Sequence, residues 1–94
     1  MALRLIVSIK TQAGKGDEYL AEALSHVAAT RAEPGCEQYD YFRNAEDPDS
    51  FVLVERWTDE PLWQAHMEVM RARPPRSSPP LTEGRPTLER YDVD

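Results

Sequence analysis

Residues 51–57, Phe51-Val52-Leu53-Val54-Glu55-Arg56-Trp57, read as an apolar strand that ends in a glutamate and a tryptophan. Immediately before it, Asn44 to Ser50 holds Asp47-Pro48-Asp49, a hairpin turn. Before the turn, Cys36 to Arg43 forms another strand, rich in aromatics at Tyr39, Tyr41 and Phe42. The two strands are expected to pair antiparallel. One register sets Tyr39 across from Glu55 and Tyr41 across from Leu53, and it is the favoured one; a slip of one residue would exchange the faces. The acids of the turn are expected to cap their own backbone, because no ligand spacing completes a calcium loop.

Working outward, Leu3, Leu5, Val7 and Ile9 alternate with Arg4, Ile6, Ser8 and Lys10, the period of a strand. Ile6 makes the opposite face partly apolar, and a strand apolar on both sides expects a cover on both sides. Lys15 to Ala32 reads as a helix with Leu20, Ala23, Leu24, Val27 and Ala28 as its apolar stripe. Pro34 cannot continue that helix, and Gly35 suits the left-handed turn after it. Thr58 or Asp59 can cap a second helix, with Pro61 in its first turn, that runs to about Arg73. Pro74-Pro75 ends it, Arg76 to Glu83 is loop, and Thr87 to Val93 supplies a last strand.

The order is β-α-β-β-α-β, the α+β ferredoxin-like arrangement: a four-stranded antiparallel sheet with the helices on one face. The other face lacks a cover within the chain. A second copy of the same sheet is the natural lid, so a homodimer through the sheet face is expected.

Ninety-four residues make one domain. A chain this short buries only about 60–65% of its unfolded surface, so its core is thin. The formal net charge of −6 argues against a nucleic-acid partner. Arg71, Arg73 and Arg76 cluster without an interleaved aromatic and read as solvated. A single cysteine cannot form an intramolecular disulfide. The first ten residues alternate too strictly for a signal peptide, and no stretch approaches the ~20 apolar residues of a membrane span. The expected location is the cytoplasm, with no membrane partner.

On a helical wheel Leu62, Trp63, His66, Val69, Met70 and Arg73 share a face, which turns His66 toward the sheet. An imidazole there reads in two ways, as a proton-transfer group or as a core histidine held by one hydrogen bond. His26 reads as a surface residue. Trp57 reads first as packing, with an indole N–H that needs a partner. Glu55, in an apolar strand, must be paired or solvated. Tyr39 and Tyr41 share a face and serve either a pocket or a dimer interface. Cys36 follows a helix end, where nothing lowers a thiol pKa, and is not read as a nucleophile. Two histidines and one cysteine do not make a zinc site, and no nucleophile elbow, P-loop or dinucleotide-binding glycine motif occurs. No cofactor is expected.

Several runs together resemble the antibiotic biosynthesis monooxygenase (ABM) domain family. They are Glu33-Pro34-Gly35-Cys36-Glu37-Gln38-Tyr39, Asp47-Pro48, the strand from Phe51 to Trp57, Asp59-Glu60 and Ala65-His66. The most specific part is Glu-x-Trp followed nine residues later by His. The resemblance covers nearly all of residues 1–94, as a single domain. It implies a dimeric ferredoxin-like α/β barrel. It also implies an oxygenase without metal or flavin, acting on small aromatic phenol- or quinol-type substrates that themselves reduce O2. His66 is then the catalytic candidate, with Tyr39, Tyr41, Glu55, Trp57, Trp63, Met70 and Arg71 as substrate-binding candidates. Arg71 reads either as a solvated helix end or as a cation facing a phenolate. Two departures stand out: Arg71 occupies the place of the family's frequent second histidine, and Pro74-Pro75 breaks the usual continuous helix. Val7 and His66 stand near where haem-degrading members carry Asn and Trp, which argues against haem degradation. The alternatives are a non-catalytic dimeric protein that binds a small hydrophobic metabolite, and an interaction module whose pocket is merely core.

Overall fold

A computed structural model describes residues 1–73 and 80–94. The chain runs β1 (Ala2–Lys10), α1 (Gly16–Leu24), α2 (Val27–Arg31), β2 (Cys36–Arg43), β3 (Ser50–Trp57), α3 (Glu60–Ala72) and β4 (Thr87–Val93). The strands form one antiparallel sheet in the order β2-β3-β1-β4. This is the expected ferredoxin-like α+β fold. None of the helices of the described residues is long and apolar enough to cross a membrane. The sequence reading of Pro74, Pro75 and Arg76 lies outside the described residues. Arg73, whose next residue is Pro74, has φ −71° and ψ 140°, the extended form that a residue before proline favours.

The central hairpin adopts the favoured register: Tyr39 pairs with Glu55 and Tyr41 with Leu53. A register shift between Cys36 and Gln38 leaves Glu37 as the extra residue of a bulge. The turn caps itself as its acids suggest. Asn44 Oδ1 accepts from the backbone N–H groups of Glu46 and Asp47 at 2.7 and 3.1 Å, and Asp47 accepts from Asp49 N–H at 3.0 Å. Asp49 then reaches across to α1, where Lys15 provides no side-chain cap. Its carboxylate accepts from Gly14 N–H and Gly16 N–H, both at 2.9 Å. These bonds, the Gly14 one foremost, hold its carboxyl below the usual carboxylate range.

The expected single helix over Lys15–Ala32 is two, broken at Ser25-His26. The serine hydroxyl donates to Glu22 O at 2.5 Å, and His26 N–H bonds Ala23 O, three residues back, at 3.2 Å. A side chain competing for a helical carbonyl, together with i→i+3 tightening, ends the first segment. The buried stripe is also rotated by about one position from the expected one. Tyr19, Ala23, Val27 and Thr30 face the sheet, while Leu24 is exposed. Tyr19 takes the inward place because its ring packs on Phe51, centroid to centroid at 5.3 Å, and edges Tyr41 at 6.5 Å.

Asp59 is the N-cap of α3, its Oδ1 accepting from Leu62 N–H at 3.0 Å. Trp63 and His66 are buried, as the wheel places them, whereas Val69 of the same expected face is exposed. Gly35 sets how closely α3 approaches the sheet. It has φ +84°, and a Cβ there would lie 2.8 Å from Leu62 Cβ and 2.5 Å from its Cδ1. The core forms two adjoining groups on the helix side, one around Tyr19, Tyr39 and Phe51, the other around Leu3, Leu5, Trp57 and Trp63. On the opposite face Ile6, Val52 and Val54 are half-buried, and Phe42 and Tyr91 are exposed.

Gly35→Ala meets both a left-handed φ and the Leu62 side chain. It is expected to lower unfolding free energy by about 2–4 kcal/mol, read from the shift of the urea midpoint.

Candidate active site

Period-two alternation in paired strands directs Val7, Ile9, Tyr39, Tyr41, Leu53 and Glu55 to one side of the sheet. Trp63, His66, Met67 and Met70 come down on them from α3, and Tyr19 from α1. The last wall is the segment leading into β4, which contributes Thr82 and Pro86, with Leu88 from β4 itself. That segment is tied to the end of β1: Gln12 N–H donates to Leu81 O at 2.7 Å, and Glu83 N–H to Lys10 O at 2.8 Å. Together these groups line a predominantly apolar, partly open cavity of about 320 Å³. This is near the lower end of small-molecule sites, which run from about 300 to 1,000 Å³.

His66 is 2% exposed and sits at the cavity wall. Its ring stacks on Trp57 with centroids 4.7 Å apart and planes 29° apart, and meets the edge of Tyr39 at 5.7 Å. Nδ1 contacts both Glu33 carboxylate oxygens, at 3.0 and 3.2 Å. Nε2 lies 4.0 Å from Glu55 Oε1. That same oxygen accepts from the Trp57 indole N–H at 2.9 Å, so the tryptophan finds its partner two residues back on its own strand. Trp57 is fully buried behind the histidine and does not line the cavity.

Glu55 is 5% exposed. Burial pushes its carboxyl above the ordinary value of 4.5; the indole bond and the imidazole oppose the rise, and Glu33 adds to it. In the acid form Oε1 still accepts the indole N–H, and Oε2 is left to carry the proton. The site therefore offers an imidazole and a carboxyl of elevated pKa, side by side, at the edge of an apolar box. Burial also raises the Cys36 thiol, with Glu55 and Glu33 adding to it, which agrees with its exclusion as a nucleophile.

Among the sequence candidates, the structure brings His66, Tyr39, Tyr41, Glu55, Trp63 and Met70 to one cavity. The shared face of Tyr39 and Tyr41 is the helix side. Arg71 is placed elsewhere: it is exposed, paired with Glu68 one turn back, and absent from the cavity wall. The cation nearer the site is Arg73, whose guanidinium lies 4.0 Å from Glu33 Oε2. Among the described residues no group of three or more His, Cys, Asp and Glu is arranged to hold a metal ion.

The family model for antibiotic biosynthesis monooxygenase matches residues 2–69. The chain belongs to the antibiotic biosynthesis monooxygenase family. Glu33, Glu55, Trp57 and His66 all fall inside the matched region, whereas Thr82, Pro86 and Leu88 of the cavity wall fall outside it. Over 60 residues the chain is 42% identical to the Bacillus subtilis (strain 168) protein "Putative monooxygenase YcnE". The match covers 64% of this chain and 63% of YcnE, so less than two thirds of that relative's length is spanned. PA3566 from Pseudomonas aeruginosa superposes with a TM-score of 0.81 at 26% identity, over 99% of this chain and 95% of that one. Rv0793 from Mycobacterium tuberculosis shares the fold with a TM-score of 0.77 at 19% identity, over 99% and 95%.

Glu33 was not among the sequence candidates. It lies in the turn between α2 and β2, 33 residues before His66, and no periodicity links a turn residue to a helix that distant. Its acidic character beside Pro34-Gly35 was visible; its partner was not. Tyr19, Met67, Thr82, Pro86 and Leu88 were missed for a similar reason, since each meets the cavity only through tertiary packing.

The raised Glu55 carboxyl has a consequence for stability. Below the ordinary glutamate value both states are protonated and its contribution is complete. As pH rises, the unfolded chain ionises first, so stability falls until the folded-state value is passed. Glu55→Gln keeps the indole bond and cannot ionise. Urea midpoints followed from acid to neutral pH should therefore show the variant gaining on the wild type as pH rises.

Proposed function

We propose that this protein is a cofactor-independent oxygenase of small phenols or quinols, with His66 as the base. The observation that carries the reading is a buried imidazole whose Nδ1 is occupied, so that Nε2 is left beside Glu55 at the wall of an apolar cavity. Family membership supports it, and so does the monooxygenase name of YcnE.

In this reading the substrate's rings occupy the space between Tyr41, Leu53 and Met70, and its hydroxyl meets Nε2 at hydrogen-bond distance, about 2.8 Å. His66 takes the O–H proton. The Glu55 acid donates to the resulting phenolate, whose charge would be costly in an apolar box without it. The phenolate passes one electron to O2, the two radicals combine at a ring carbon, and the resulting peroxide anion takes back the proton held by His66 to give a hydroperoxide. Loss of water from that hydroperoxide leaves a carbonyl. For 1-naphthol the sum is naphthol plus O2 giving naphthoquinone plus water, with the substrate supplying all the electrons. Trp57 holds the imidazole ring in plane by stacking.

The test is oxygen uptake by metal-stripped protein over a panel of naphthols and quinols. His66→Ala is expected to lower turnover by about 10²–10⁴-fold with the fold retained. Undiminished turnover in that variant would remove His66 from the reaction. No uptake above the uncatalysed rate by a folded wild type would overturn the oxygenase reading for those substrates.

We also propose that the chain pairs with a second copy through the outer sheet face. Ile6, Val52 and Val54 lie side by side there, flanked by Phe42 and Tyr91, and no helix of the described residues covers them. Sedimentation should give a dimer at micromolar concentration, and Val54→Lys should shift it to monomer. A wild-type monomer under those conditions would contradict the pairing.

A further inference from the structure

Glu33 has no part in the steps just described, yet it makes the shortest contact to the imidazole. We propose that Glu33 is a positioning residue: it holds the His66 proton on Nδ1 and thereby leaves the Nε2 lone pair directed to the cavity. The inference rests on the reading of His66 as a base.

A neutral imidazole has one donor nitrogen and one acceptor, and the bond made by one nitrogen decides the state of the other. An ionised carboxylate has only acceptors. A contact of 3.0 and 3.2 Å to both Glu33 oxygens is therefore a bond donated by Nδ1. The opposite arrangement would need Glu33 to carry a proton while facing the Arg73 guanidinium at 4.0 Å. The imidazole meets a charged or titratable group from each element packed on it. Glu33 comes from the turn before β2, Glu55 from β3 and Tyr39 from β2, with Arg73 acting through Glu33 and Cys36 near both carboxyls. Glu55 faces Nε2 from 4.0 Å, beyond hydrogen-bond distance. The oxygen it presents there already accepts the Trp57 indole N–H at 2.9 Å.

The placement of Glu33 is built into the backbone. Its N–H donates to Thr30 O at 3.0 Å, and its carbonyl accepts from Cys36 N–H at 3.2 Å. Two residues on, Gly35 lies against Leu62 of α3. The same packing that seats α3 on this turn therefore brings the carboxylate to His66, one turn along the helix from Leu62.

The test reads the tautomer directly. Long-range proton–nitrogen NMR on nitrogen-15-labelled wild type, in mildly alkaline buffer, should show His66 with a protonated Nδ1 and a bare Nε2. The spectrum of His66→Ala identifies which ring signals belong to His26. Glu33→Gln, of the same shape but able to donate as well as accept, should raise the Nε2–H population. Where a substrate is turned over, it should also lower kcat by about tenfold or more with little change in KM. A wild-type His66 protonated on Nε2 would overturn the proposal, and so would a Glu33→Gln variant with the wild-type tautomer. Should that variant fail to fold, the wild-type spectrum alone decides. A protein without oxygen uptake that nonetheless shows the Nδ1–H form supports the role of Glu33, while removing the reaction it was meant to serve.

Discussion

An imidazole held out of water between two carboxyls is the constraint around which this structure is arranged. A buried polar ring is costly unless both nitrogens are answered. Here Glu33 answers Nδ1, Glu55 stands on the Nε2 side, and Trp57 covers one ring face. Each of these partners needs a different part of the fold. Glu55 and Trp57 require β3 in the register that turns them to the helix side. Glu33 requires the Pro34-Gly35 turn to lie against α3, and that approach is possible only because residue 35 has no Cβ. His66 requires α3 to begin at the Asp59 cap, which sets the rotation of the helix over β1 and β3.

Much of this was legible in the sequence, for identifiable reasons. The Phe51–Trp57 strand and the Asp47-Pro48-Asp49 turn carry local signals, and of the two registers the sequence left open, the favoured one, Tyr39 across from Glu55, is the one formed. The Asp59 cap and the left-handed Gly35 are likewise written into two or three consecutive residues. Features that depend on what lies opposite were not legible. The break at Ser25-His26 has neither glycine nor proline to announce it. Tyr19 joins the buried stripe while Leu24 is left out of it, because an aromatic ring fits over Phe51, a property of the sheet and not of the helix. Val69 shares an apolar character with Met67 and Met70, yet only the two methionines reach the cavity. The Glu33–His66 contact joins a turn to a helix and leaves no periodic trace.

The region matched by the family model carries the polar cluster, and the segment beyond it closes the cavity. Residues 82–88 add a threonine, a proline and a leucine to walls otherwise made by β1, β2, β3, α1 and α3. A fold of this kind hosts many activities, so chemistry must be argued from the cluster and selectivity from the wall. The cluster sets an imidazole beside a carboxyl with raised pKa. The wall supplies a predominantly apolar space of about 320 Å³. Of the two readings of Arg71, the solvated helix end is the one formed: it pairs with a neighbouring glutamate on the helix surface.

The most direct test of the central claim is a crystal structure with an unreactive naphthol soaked in under anaerobic conditions. The account predicts rings lodged against Tyr41 and Met70, with the hydroxyl oxygen within hydrogen-bond distance of His66 Nε2 and beside the Glu55 carboxyl. Naphthol bound with its hydroxyl turned away from His66, or lodged outside this cavity altogether, would contradict it.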